Sequence, residues 1–284
     1  MGFHYLPQYY LRGFGELPDC SHVWLYEKGS QRFSRAAISK VAQKRRYYTD
    51  EIESWLATQI EDPGNAILKK LRGFQGITQS EKETLARYIV VMQTRVPRER
   101  ERKEKGMPEM LDRFSDDFQK SVIEALMKEY PENELLETRA NEVRKVIAKW
   151  KTEGLPRDFR FELMQPHCSP VRVQVLSKMT WQFLRSAGGL SFLTSDNPVF
   201  FCEDLGIRAI ESELSFPISR DIALHATWRR DLPEGFVRVP RQVIKEINRR
   251  TVSAATRFVF HSAQEDWVLT LVNKKKYTLN RIRS

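Results

Sequence analysis

Cysteine is scarce in this chain: Cys20, Cys168 and Cys202 are the only three in 284 residues. An odd count with no CxxC spacing excludes a fully paired disulfide framework and a thiolate zinc ribbon. Histidine is nearly as rare, and none of the five stands in HExxH or HxH spacing, so a zinc-hydrolase signature is missing. No GxxxxGK[ST] or GxGxxG occurs, which argues against a standard nucleotide cradle, and no GxSxG elbow occurs either. Long apolar runs are lacking, none approaching the ~18 residues of a membrane span. The first residues also lack the basic, apolar and small-residue pattern of a signal peptide. These absences lead us to expect a reduced, cytoplasmic protein with buried thiols. No cofactor is expected, and dependence on a divalent metal is left open.

What is present begins with charge. Hydrophobic content of 41% and charged content of 30% are those of a globular chain, yet the net charge is +10 and the pI near 9.5. From His225 to Ser284 there are thirteen Lys or Arg against five Asp or Glu. Such asymmetry suits a polyanion, nucleic acid being the commonest, and Trp228 and Tyr277 beside basic residues are compatible with base stacking. A solvated surface, with strands whose other face is core, explains the same residues.

The hydrophobic pattern divides the chain. After an opening helix, 22–27 alternates like a strand and Gly29 marks a hairpin turn. Residues 50–71 carry a helical face that Asp62-Pro63-Gly64 interrupts. Residues 78–105 start with a capping signal, TQSE, and Pro97 ends or kinks that helix. The mixed-charge RERERKEKG reads as a solvated helix end or loop. Amphipathic helices are expected at 109–130 and 133–151, an irregular connection at 152–170, and a helix at 171–187 closed by Gly188-Gly189. Beyond it SFLTSDNPVFF, LSFPISRDIALHATW, ATRFVFHS and DWVLTLVNKKKYTL read as strands, with a helix at 240–256 between them. The expectation is a single α+β domain over 1–284. Residues 1–170 should be mainly helical, and 171–284 a mostly antiparallel sheet with two helices.

Three stretches interrupt these apolar patterns with polar side chains. In FHYLPQYYLRGF, His4, Gln8 and Arg12 recur every four residues, which on a helix places them along one side. In IVVMQTRVPR, Gln93 follows Met92, and Arg95 shares the core-facing side of Ile89 and Met92. A buried Arg needs an anionic partner, so Arg95 binds a phosphate, forms an internal salt bridge with Glu61 or Asp196, or snorkels its charge to the surface. In FLTSDNPVFF, two apolar arms enclose Ser195, Asp196, Asn197 and Pro198. That is a plain hairpin turn, or a rigid mount for catalytic groups.

Taken in this order, HYLPQYYLRGF, MQTRVP and FLTSDNPV followed by FPIS resemble the bacterial family catalogued as domain of unknown function 4238. The resemblance spans nearly the whole chain and implies no activity. It implies that His4, Pro7, Gln8, Leu11, Arg12, Gln93, Arg95, Ser195, Asp196, Asn197 and Pro198 match a shared pattern. A pocket gathering these groups would hold a proton-transfer residue, two cationic clamps and amide donors, which suits a phosphodiester. The expected function is therefore a nuclease, acting on RNA rather than DNA. His4, Asp196 and Glu61 would be catalytic, and Gln8, Arg12, Gln93, Arg95, Ser195 and Asn197 would bind substrate. The alternatives are a non-catalytic nucleic-acid-binding protein, whose polar set is a buried structural network, and a regulatory protein-interaction module.

Overall fold

A computed structural model describes residues 2–45, 47–129, 135–154, 156, 161–162, 165–186, 188–201 and 206–282. The chain forms two compact units, one of residues 1–98 with 166–284, the other of residues 99–165. The class is α+β, with helices mostly in the first half and largely antiparallel sheets toward the C-terminus.

In the first unit, β1 (Gly2–His4) pairs antiparallel with β4 (Gln43–Arg45), placing His4 opposite Gln43. A four-stranded antiparallel sheet runs β3 (Phe33–Ala37), β2 (His22–Glu27), β11 (Phe258–His261), β6 (Thr194–Ser195). The β2–β3 hairpin turns at Gly29, whose φ of 72° is one that glycine adopts freely. A five-stranded sheet runs β10 (Gly235–Val239), β5 (Thr180–Ser186), β9 (Ile222–Thr227), β8 (Glu213–Ser219), β7 (Phe200–Phe201). Only its β10–β5 pair is parallel. β8 and β9 are buried along their whole length, as central strands covered on both faces must be. The helix Gln8–Arg12 packs on this sheet, Tyr10 stacking on Phe216 with ring centroids 5.2 Å apart. The helix Gln79–Thr94 starts at the expected capping box, Thr78 with Glu81.

Several expected elements differ. The opening helix has only five residues, and His4 lies on a strand before it. Pro7, extended at ψ 136°, separates the two, so His4 does not share a helical face with Gln8 and Arg12. Asp62-Pro63-Gly64 does not interrupt its helix. A π-helix, Leu56–Glu61, leads into the helix Asp62–Arg72, and Pro63 sits in its first turn, where a missing N–H costs little. The 171–187 segment divides into a helix, Pro170–Lys178, and β5. Pairing with β9 and β10 on both sides outweighs the helical period of Val175, Met179 and Phe183. DWVLTLV is a helix, Asp266–Val272, because burying Val268 and Val272 one turn apart needs a 3.6-residue period. SDNPV is no hairpin turn: β6 and β7 belong to different sheets, and the segment carries the chain between them.

The second unit contains most of the helix Pro97–Glu129, with RERERKEK in its opening turns, and the helix Leu135–Glu153. Lys151 Nζ lies 3.2 Å from Asp112 Oδ1 between them. The side chains of Leu111, Phe114, Phe118, Val122, Leu126 and Met127, which carry the apolar pattern there, lie outside the described residues, as does Cys202.

Candidate functional site

Arg95 is the centre of a buried polar cluster. It occupies the C-cap of the helix Gln79–Thr94, and Pro97 two residues on disfavours continuing the helix through Val96. Its side chain is 1% exposed. Nη1 donates to Glu61 Oε1 at 2.7 Å and Nη2 to the His4 backbone carbonyl at 2.6 Å. The Tyr48 hydroxyl donates to the Arg95 carbonyl at 3.0 Å, and its ring centroid lies 5.8 Å from the guanidinium carbon. Burial opposes the Arg95 charge, but Tyr48 and Glu61 outweigh it and strengthen proton binding. Of the readings of Arg95, the internal salt bridge with Glu61 is the one present, and a side chain 1% exposed does not snorkel. Glu61 is the last residue of the π-helix, whose wider turn re-aims the side chains that follow it.

His4 is fastened to this cluster by its own backbone. Burial lowers the pKa of its imidazole, outweighing a backbone hydrogen bond at Ser39 and the attraction of Glu61. Among the described residues its Nε2 is buried with no hydrogen-bond partner. The same holds for Glu53 Oε2, the Tyr88 hydroxyl and Arg95 Nε. These groups feel one another. Burial first, then Glu61, raises both Glu53 and Tyr88, while Arg95 opposes the shift. The Tyr48 hydroxyl is pushed up to about 12 by burial.

The SDNP segment has a different chemistry. The Asp196 carboxylate accepts backbone N–H groups from Thr256 (2.8 Å), Arg257 (2.8 Å) and Phe258 (3.0 Å), closing the turn into β11. Burial raises its pKa, and those three donors resist the shift. The Ser195 hydroxyl donates to the Asn197 carbonyl, and Asn197 Nδ2 donates to the Ala254 carbonyl at 2.9 Å. All three side chains are thereby committed to backbone. Burial first, then the Asp196 charge, raises the pKa of the Tyr5 hydroxyl.

The structure therefore joins His4, Glu61 and Arg95 directly, through the His4 carbonyl and the Glu61 carboxylate, while Asp196 bonds to backbone elsewhere. Gln8 and Gln93 are half-buried and Arg12 is exposed, and among the described residues no hydrogen bond links any of them to the cluster. The cation at the end of the short helix is instead Arg72, which donates to the carbonyls of Tyr9 (3.1 Å), Tyr10 (2.9 Å) and Ile218 (3.1 Å). Sequence reasoning missed Arg72, Glu53, Tyr48 and Tyr88. Only Tyr88 had a signal, a hydroxyl on the core side of Leu85 and Ile89. A second buried network was also missed. Glu213 meets Arg250 and lies 3.6 Å from His225 Nε2, all three nearly inaccessible. Among the described residues no group of three or more His, Cys, Asp or Glu side chains could hold a metal ion, and no helix is long and apolar enough to cross a membrane.

Comparison with known proteins gives one family match. The model of a family described as "Protein of unknown function (DUF4238)" covers residues 3–265. No curated protein and no solved structure matches the chain.

Proposed function

We propose that this chain, which belongs to the DUF4238 family of proteins of unknown function, is a ribonuclease that uses His4 as its proton acceptor. The observation that carries the reading is the partnerless Nε2 of His4, on a ring that burial keeps neutral near pH 7. Arg95 holds the His4 backbone, and Glu61 holds Arg95, so this pair positions the base. Glu53, whose carboxyl burial keeps above its usual range, supplies the acid.

In the reaction the RNA 2′-hydroxyl gives its proton to His4 Nε2 and its oxygen attacks phosphorus. The P–O5′ bond breaks, and O5′ takes the Glu53 proton, leaving a 2′,3′-cyclic phosphate and a 5′-hydroxyl. The basic last sixty residues suit the polyanionic substrate. A reducing cytoplasm suits Cys20 and Cys168, both free thiols. Because Nε2 is covered, productive binding must open the edge of the cluster.

One observation favours the second reading, a nucleic-acid-binding protein without catalysis: Ser195, Asp196 and Asn197 are fully engaged with backbone. Incubation of purified protein with labelled RNA and DNA, with and without EDTA, separates the two. We expect RNA alone to be cut, and His4→Ala to lose roughly 10²-fold or more in rate at unchanged melting temperature. Salt-dependent RNA binding without cleavage would establish the second reading instead.

A further inference from the structure

A cavity of about 670 Å³ opens between the Gly188–Gly189 turn, the start of the helix Arg241–Ala254 and the segment after β11. None of its lining residues belongs to the His4 cluster. Its size lies within the ~300–1,000 Å³ range of small-molecule sites.

One end is positive. Pro240 opens the 14-residue helix with no side-chain cap and no acid in the first turn, so the positive end of the helix dipole is uncompensated. Arg241 and Lys245, one turn apart and both exposed, line the cavity, and neither has an acidic partner among the described residues. The other end is aromatic and polar. His261 is 3% exposed, and its Nδ1 is occupied by the backbone of Ala263 at 2.8 Å. Its Nε2 is buried without a partner, and the residue faces the cavity. Trp267 lines the same wall, edge-to-face with His261 at 5.6 Å. Glu265 and Asp221, whose Oδ2 already meets Arg220 Nε at 3.3 Å, also line the cavity.

From this arrangement we infer that the cavity binds a nucleotide. The phosphate sits on Arg241, Lys245 and the helix start, and the base lies against Trp267. His261 Nε2, covered as the wall stands, supplies its unmet hydrogen bond once the ligand opens that wall. Asp221 and Glu265 accept from ribose hydroxyls or an exocyclic amine, chemistry that carboxylates commonly offer to sugars and bases. Phosphate alone would leave the aromatic wall empty, and a nucleoside alone would leave two cations unpaired. The site does not depend on cleavage at His4, since it can hold a nucleotide whether or not the protein cuts RNA.

Titration calorimetry with the four nucleoside monophosphates, adenosine and inorganic phosphate tests the assignment. We expect saturable binding of at least one monophosphate at one equivalent, with adenosine and phosphate each at least ten-fold weaker. The double variant Arg241→Gln, Lys245→Gln should weaken it ten-fold or more, and Trp267→Leu should weaken it as well. The charged pair is exposed, so a matching thermal melt separates loss of binding from loss of fold. A 5′-phosphorylated trinucleotide that binds as tightly as the monophosphate identifies a chain end as the ligand, and its exclusion identifies a free nucleotide. His4→Ala should bind as the parent does, which separates failure here from failure of the cleavage reading. No saturable heat with any monophosphate at millimolar concentration, or an unchanged affinity in the double variant, would overturn the inference.

Discussion

Arg95→Ala is the sharpest test of whether the buried cluster organises the N-terminal strand. The substitution removes two charge-assisted hydrogen bonds, to Glu61 at 2.7 Å and to the His4 carbonyl at 2.6 Å. Hydrogen bonds to a charged group are worth about 1.5–3 kcal/mol each. Breaking a buried ion pair costs about 3–5 kcal/mol, since a charge is left without its partner. Glu61 remains 22% exposed and regains some water, so the lower end applies, about 3 kcal/mol in total. Arg95→Lys keeps the charge but loses the planar fork that reaches both acceptors, and should cost about 1–2 kcal/mol. Urea unfolding read by a probe in the unit of residues 1–98 and 166–284 gives the global number. Hydrogen exchange at the Tyr5 amide, which bonds the Ala42 carbonyl at 2.9 Å, gives the local one. A double-mutant cycle with Glu61→Ala isolates the pair. If Arg95→Ala shifts stability by less than ~1 kcal/mol and leaves Tyr5 protection unchanged, Arg95 does not hold His4 in place and the positioning argument fails.

Three further outcomes follow from other regions of the molecule. Glu213, nearly inaccessible, would be pushed up by burial, but His225 and Arg250 hold it at about 2 against an ordinary 4.5. A depressed folded-state pKa adds stability above pH 4.5 that is lost as pH falls toward 2. The parent should therefore lose up to about 3 kcal/mol more than Glu213→Gln across that window, read from urea midpoints against pH. Asp196→Asn turns one accepting oxygen into an NH2 group facing backbone N–H donors and should destabilise by about 2–4 kcal/mol; an unchanged urea midpoint would refute the clasp. In Gly64→Ala the new methyl would run into the buried Tyr88 ring, costing about 1–3 kcal/mol, and an unaltered melting temperature would show that the ring has room to move.

Much of the fold is legible in the sequence because it rests on local signals. The Thr78 capping box, the Gly29 hairpin, the alternation of β2 and the short apolar stretches of β8 and β9 each act within a few residues. The sequence misleads where distant pairing decides. TWQFLRS can continue the helix that precedes it, and only the neighbouring β9 and β10 make it a strand. His4 looks helical because its spacing from Gln8 and Arg12 is four, but β4 captures the first residues as a strand. For the site, Arg95 is readable as a charge on a core face, with Glu61 among its candidate partners. Glu53 and Tyr48 are not readable, because an acid on an amphipathic helix and a tyrosine in a loop are ordinary at the level of sequence. Asp196 is readable as special, but not the recipients of its lone pairs, which lie about sixty residues downstream.

The polar residues of the family pattern thus separate by what they leave unmet. Asp196, Ser195 and Asn197 bond to backbone and lock the passage between two sheets. Substitution there should damage stability first. Around His4 the balance runs the other way. His4 Nε2, Glu53 Oε2, the Tyr88 hydroxyl and Arg95 Nε are all buried without a partner. Each such group costs about 1–3 kcal/mol relative to a satisfied one, so stability alone gives no reason to assemble four of them. His4, Glu53 and Tyr88 all feel the charges of Glu61, at the end of a π-helix, a local departure from regular structure, and of Arg95, at a helix C-cap. Departures from regular geometry and unmet polar groups at one place mark where folding has yielded to another demand. His4 carries the base of the proposed reaction, and for that reason it is the first residue to change.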